Sequence, residues 1–201
     1  NKLDSAYVIF QEQAYRFPLD AQGKGTLKMN IKEDGFAILV YGKLSTNIYL
    51  KQGNTLKVIW DKEDWRGGKM QVVSDDGGIN EYIRLNIEKS FKKATECSFT
   101  LEEDSFMDKV EQTIRELSAG IDSTNFAPEI KDILKASSKY EVLYWIYKYP
   151  RFHNFGKRMS QEEYLAFKRF NEYMFDKFEA HPEYLCLTAY REYAVNWFYE
   201  L

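Results

Sequence analysis

The sequence predicts an α+β fold, in which a small antiparallel β-sandwich or barrel is followed by an all-helical subdomain of about five helices. Three observations carry this reading. As far as Val73, apolar residues recur on alternate positions, the period of half-buried strands. Short polar segments, several of them holding glycine, interrupt that pattern every ~8–12 residues, as the turns of a small all-β unit do. From Gly78 onward the apolar residues fall three and four apart between recognisable caps and stops, the period of one helix face. The change of period divides the chain into residues 1–76 and 77–201, with the boundary near Ser74 to Gly78.

In the first part, Ser5 to Phe10 is an apolar run of strand character, ended by Phe17-Pro18 and the glycines at 23 and 25. Leu27, Met29 and Ile31 then share one face, Glu33-Asp34-Gly35 supplies a tight turn, and Phe36 to Tyr41 continues as a more buried strand, which makes a hairpin. Ile48 and Leu50, then Leu56, Val58 and Trp60, alternate on either side of Gln52-Gly53-Asn54. That pattern predicts a second hairpin. Asp61 to Lys69 is a polar loop holding Trp65, and Met70 to Val73 is a last short strand.

In the second part, Ile79, Ile83, Ile87 and Phe91 make the stripe of the first helix. Thr100 and Glu103 have capping-box spacing, with Phe106, Val110, Ile114, Leu117 and Ile121 behind them and Gly120 closing the helix. Pro128 fits the first turn of the next, which runs through Leu143 and Ile146 to Tyr149, where Pro150 stops it. Ser160 and Glu163 form another capping box, opening a helix with Tyr164, Phe167, Phe170, Met174 and Phe178. His181-Pro182 starts the final helix, which runs to the end of the chain.

Composition narrows the function classes. With 44% hydrophobic residues, 15 Tyr, 14 Phe and 4 Trp, the chain has material for a packed core and not the profile of a disordered segment. A formal charge of -3, with no basic stripe, argues against nucleic acid as a partner. No run of ~18 apolar residues is present to cross a membrane. The chain starts at Asn1 without Met, so an amino-terminal segment, such as a signal peptide, is expected to have been removed. Cys97 lies in a polar connector and Cys186 in an apolar run, and they are expected as two separate thiols rather than a bridge.

No reacting group stands out. Asp75-Asp76-Gly77-Gly78 lacks the lysine of a phosphate loop and the alternating carboxylates of a calcium loop, and reads as a turn and helix start. His153 and His181 have no second ligand at metal spacing. Glu102-Glu103-Asp104 and Glu162-Glu163 sit in first helical turns, where carboxylates meet the helix dipole favourably. Ser45, Ser137 and Ser138 lack a G-x-S-x-G setting, and there is no C-x-x-C. The chain is therefore expected to be no enzyme, and to hold no cofactor or metal.

Ile48-Tyr49-Leu50, the Gly53 turn, Leu56-x-Val58-x-Trp60-Asp61 and then Gly77-Gly78-Ile79-Asn80-Glu81-Tyr82 carry a resemblance. In that order they resemble the amino-terminal region of envelope thiol:disulfide oxidoreductases of the TlpA type, found in Bacteroidetes. Here Gln52-Gly53-Asn54 stands where those proteins commonly have proline-glycine-aspartate. The motif covers roughly Phe36 to Tyr82, and the remainder is similar only in its aromatic helices, including Tyr149-Pro150. The resemblance implies a small β domain, a helical segment and a thioredoxin domain that this chain lacks. It also implies a cell-envelope or periplasmic location, with a lipid anchor outside this chain as one option. The part present is then a non-catalytic accessory and interaction region, whose partner is a thioredoxin-like domain in cis or another protein. The alternative is a free-standing secreted or surface module that binds peptide or glycan.

The residues expected at such an interface are aromatic. Tyr140, Tyr144, Trp145, Tyr147 and Tyr149, and Tyr190, Tyr193, Trp197, Phe198 and Tyr199, wrap around their helices, so some rings should face outward unless another element covers them. Protein contact is the leading reading, with sugar stacking or plain core as the others. Trp197, Phe198, Tyr199 and Tyr149 are the chosen contact residues. The final helix carries no capping Gly, Asn or Pro and no basic last turn, so the native polypeptide is expected to continue past Leu201.

Overall fold

The computed structural model describes residues 4–59, 70–153, 160–173 and 180–200, without the side chains at 145, 164 and 196–200. It is a mixed α+β protein, strands first and helices after. Two compact units make up the chain: residues 1–86 with 183–188, and residues 87–182 with 189–201.

The first unit contains a four-stranded antiparallel sheet in the order β2-β1-β3-β4. Its strands are β1 (Ser5–Phe10), β2 (Gln13–Pro18), β3 (Gly35–Tyr41) and β4 (Leu44–Leu50). A separate two-stranded ribbon pairs β5 (Lys57–Ile59) with β6 (Gln71–Val73). The sheet is open, not a closed barrel. Val8, Phe10, Ala37 and Ile48 from three strands form its buried centre, with Tyr15, Phe17, Leu39 and Leu50 around them. These side chains share one face because residues paired across an antiparallel ladder point the same way: Val8 opposes Tyr15 and Leu39, and Ala37 opposes Ile48.

Both expected hairpins are corrected by this topology. The turn at Gly53 exists: Asn54 N–H donates to the Lys51 carbonyl at 3.1 Å and Gly53 has φ +76°. Its flanking strands, however, belong to different sheets, because β4 pairs with β3 and β5 with β6. Residues 26–31 form no strand; they pack Leu27, Met29 and Ile31 on the sheet as an extended segment. The alternation reported which side chains face the core and was silent about which backbone pairs with which. The sheet has two-residue hairpins elsewhere. Gly42, at φ +63°, turns β3 into β4. Gln11 (φ +48°) and Glu12 (φ +62°) turn β1 into β2, a left-handed pair without the usual Gly or Asn.

Helix α1 (Ile79–Thr95) begins in the first unit and ends in the second. The second unit contains α2 (Glu103–Asp122), α3 (Pro128–Ile146), α4 (Tyr149–His153), α5 (Gln161–Leu165), α6 (Lys168–Asn171) and, from Ala189, most of α7 (Thr188–Glu200). Phe106, Val110, Leu117 and Ile121 are buried on α2 as the stripe requires. The Ser160–Glu163 capping box forms, with Ser160 N–H donating to Glu163 Oε2 at 2.7 Å and Glu163 N–H to Ser160 Oγ at 3.2 Å.

Other helix boundaries differ from expectation. No Thr100–Glu103 box forms: α2 starts at Glu103 itself, Thr100 bonds Ser98, and the Glu103 carboxylate accepts Phe170 N–H at 2.7 Å. Gly120 does not end α2, which continues to Asp122. Pro150 ends nothing either; it is the second residue of α4, in the first turn of a helix, where its missing N–H leaves no bond unmade. The helix opened at Ser160 breaks before Lys168, at Phe167, and Met174 and Phe178 lie outside the described residues. Pro182–Cys186 is a 3-10 segment and α7 starts only at Thr188. The loop with Trp60 and Trp65 also lies outside the described residues.

Candidate functional site

Some of the residues that carry the resemblance, Tyr49, Gly78 and Asn80, join Asp76 in one hydrogen-bonded structure at the start of α1, whereas Trp60 and Asp61 lie outside the described residues. Gly77 (φ +75°) and Gly78 (φ +88°) reverse the chain in a left-handed conformation that costs glycine little. The buried Asp76 carboxylate then caps the helix, accepting Gly78 N–H at 3.0 Å on one oxygen and Asn80 N–H at 3.3 Å on the other. These N–H groups have no partner within the helix, so the cap supplies what the geometry leaves open.

Asn80 extends this cap to the sheet. Its Oδ1 accepts Tyr49 N–H at 2.8 Å and its Nδ2 donates to the Tyr49 carbonyl at 2.7 Å, while a second Nδ2–H meets Asp76. Asn80 is 2% exposed and Tyr49 9%, so each bond is made where an unmade one would be costly. The Tyr49 ring stands edge-on to Phe36 at 5.3 Å. Burial raises its phenol above the ordinary tyrosine value, helped by the Asp34 and Asp76 charges. The turn ahead of β5 joins the same structure, with Gln52 N–H on the Asp34 carboxylate at 2.7 Å and the Asn54 side-chain amide on the Asp75 carbonyl. Two residues before Tyr49, Asn47 Oδ1 accepts the N–H and hydroxyl of Thr188, at 3.0 and 3.2 Å.

The residues expected at an interface fare differently. Tyr149 is at 0% exposure in the helical unit. Its ring stacks on Phe106 at 3.9 Å and its hydroxyl donates to the Leu101 carbonyl at 2.8 Å. Burial, followed by the Glu102 and Glu103 charges, raises its phenol strongly. Tyr149 is thus core, placed by the turn between α3 and α4 that hid its direction from a continuous-helix reading. Tyr140 is likewise buried, its ring against Tyr190 at 4.7 Å and Tyr193 at 5.2 Å, so α3 and α7 cover each other's aromatic faces. Tyr144 and Tyr147 are half-buried. The side chains of Trp145, Trp197, Phe198 and Tyr199 lie outside the described residues. Sequence reasoning missed Asn47 as the partner of Thr188, since an asparagine inside a strand carries no local signal of that bond.

Both thiols are free. Cys97 is 2% exposed, with Sγ 3.7 Å from the Lys93 carbonyl and 4.0 Å from Thr113 Oγ1. Burial pushes both the Cys97 and Cys186 thiols up, away from the reactive thiolate. His153 Nδ1 lies 3.1 Å from the Phe99 carbonyl, and its ring packs beside Tyr149 and Phe167. Among the described residues, no three His, Cys, Asp or Glu side chains are grouped to hold a metal ion, and no helix is long and apolar enough to cross a membrane. No protein-family model matches the chain, and no curated protein or solved structure matches it.

Proposed function

We propose that this chain is a non-catalytic accessory region of an envelope thiol:disulfide oxidoreductase of the TlpA type, located in the periplasm, that positions a thioredoxin domain in cis or that domain's protein client. The observation that carries the reading is the joint of Tyr49, Asp76 and Asn80. Tyr49 and Asn80, one from each half of the stretch that carries the resemblance, bond each other in this buried joint, with Asp76 beside them. The raised thiols of Cys97 and Cys186 favour the non-catalytic part, because disulfide exchange starts from a thiolate.

The test has two arms. The gene is read beyond the Leu201 codon, where a thioredoxin-like segment carrying W-C-x-x-C is expected. That domain, supplied in trans, should bind this chain in a calorimetric titration. A stop codon after Leu201 together with no binding of a TlpA-type thioredoxin domain overturns the reading. It would leave the free-standing secreted or surface module for peptide or glycan.

A further inference from the structure

Two helices pass from the first unit into the second, and both are tied at their starts to β4. Helix α1 has residues 79–86 in the first unit and the rest in the second. Helix α7 crosses the same boundary after Thr188. Asn80, in the first turn of α1, holds the N–H and carbonyl of Tyr49 at 2.8 and 2.7 Å. Asn47, two residues earlier on the strand, accepts the N–H and hydroxyl of Thr188, the first residue of α7, at 3.0 and 3.2 Å. Asn47, Tyr49 and Asn80 are all buried. The first unit is moreover completed from the far end of the chain, since it takes residues 183–188, with Leu187 at 0% exposure.

The Asn47 bonds exist only while β4 is in place. An N–H in the first turn has no partner within its own helix, and α7 has no acidic side chain in that turn to replace the lost acceptor. Opening of the sheet therefore removes the cap from a helix whose remaining length belongs to the second unit, where Tyr190 and Tyr193 meet Tyr140 at 4.7 and 5.2 Å. We propose that β4 is a coupling element: through Asn47 and Asn80, the opening of the sheet and the opening of α7 are one event. Coupling of this kind is reciprocal. A ligand or partner that stabilises α7 stabilises the sheet by the same factor, and one held by the sheet stabilises α7.

Amide hydrogen exchange of the 201-residue chain, followed as urea is raised below the unfolding transition, tests this, because exchange then reports the opening of each element separately. In the wild type the amides of β3 and those at 192–195 of α7 should converge on one opening, with one dependence on urea. Asn47→Ala should separate them, the α7 amides exchanging ~10-fold faster than those of β3. Asn47→Ala combined with Asn80→Ala should separate them further. Wild-type β3 and α7 amides that keep different openings and different urea slopes overturn the proposal. So does convergence that survives in Asn47→Ala, the variant that decides should the double one fold poorly. None of these outcomes depends on whether the chain belongs to an oxidoreductase.

Discussion

Asn80 lies against the backbone of Tyr49 as a second peptide group would, donating to its carbonyl at 2.7 Å and accepting its N–H at 2.8 Å. A side-chain carboxamide has the same donor and acceptor as a peptide unit, and here it takes the place of a neighbouring strand on β4. The substitute comes from the first turn of a helix, so one side chain closes the β4 edge at Tyr49 and ties it to the start of α1, which Asp76 caps.

Asn80→Ala should therefore destabilise the protein by roughly 2–4 kcal/mol, since both Tyr49 groups are left unpaired in a buried setting. Asn80→Asp should cost at least as much. It keeps an acceptor for Tyr49 N–H, but faces the Tyr49 carbonyl and the Asp76 carboxylate with oxygen. Urea denaturation of the two variants measures this, and an Asp variant as stable as wild type would remove the amide donor from the account.

Gly78→Val should cost roughly 1–3 kcal/mol through backbone strain alone. The glycine has φ +88°, and a Cβ built on it meets nothing within 4 Å, so crowding contributes no part of the loss. Gly78→Ala should then lose a large share of the same energy despite its smaller side chain. An unchanged denaturation midpoint for the valine variant would contradict the left-handed turn.

How much of this was legible in the sequence depended on how local the signal was. The α+β order, the stripes of α1 and α2 and the Ser160–Glu163 box were legible because period and cap chemistry act within a few residues. Strand pairing was not. Leu27, Met29 and Ile31 alternate as a strand does, yet pack without a ladder, and the Gln11-Glu12 turn carries no glycine to announce it. The burial of Tyr149 was hidden for a similar reason: Pro150 reads as a stop and in fact opens α4. Asn80 stood out as part of a motif, but its bonds to Tyr49, far away in sequence, had no local trace.

The buried phenols set an alkaline limit. Tyr149 and Tyr193 both have folded-state values raised by burial, above the ordinary value of about 10. Their contribution to stability is therefore complete below about pH 10, and is lost as the pH rises toward the raised folded-state values, because the unfolded chain releases its protons first. Tyr149→Phe should flatten this alkaline decline. It should also cost about 1 kcal/mol at neutral pH for the lost bond to the Leu101 carbonyl. Denaturation midpoints measured from neutral to strongly alkaline pH check both parts.

The purified chain should not reduce insulin disulfides, and Cys97 should react with a thiol-specific reagent only as fast as its helices open. The thiol is 2% exposed and raised in pKa by burial, so neither access nor thiolate is available to the reagent. Rapid labelling of Cys97 in native buffer, or turnover abolished by Cys97→Ser, would contradict this.

The last prediction concerns Asn47, which holds the start of α7 from within a strand. Its Oδ1 accepts both the backbone N–H of Thr188 and the Thr188 hydroxyl, doing from a remote part of the chain what an N-cap side chain does locally. Asn47 is 3% exposed and Thr188 half-buried, so truncation leaves the Thr188 donors only partly within reach of water. Asn47→Ala should cost roughly 1–3 kcal/mol. Thr188→Ala, which deletes only the hydroxyl bond and leaves the backbone bond intact, should cost less, about 0.5–1.5 kcal/mol. Because the two residues share an interaction, the double variant should lose less than the sum of the single losses. Urea denaturation of the three variants gives the cycle, and strict additivity would mean that Asn47 contributes through its other surroundings and not through Thr188.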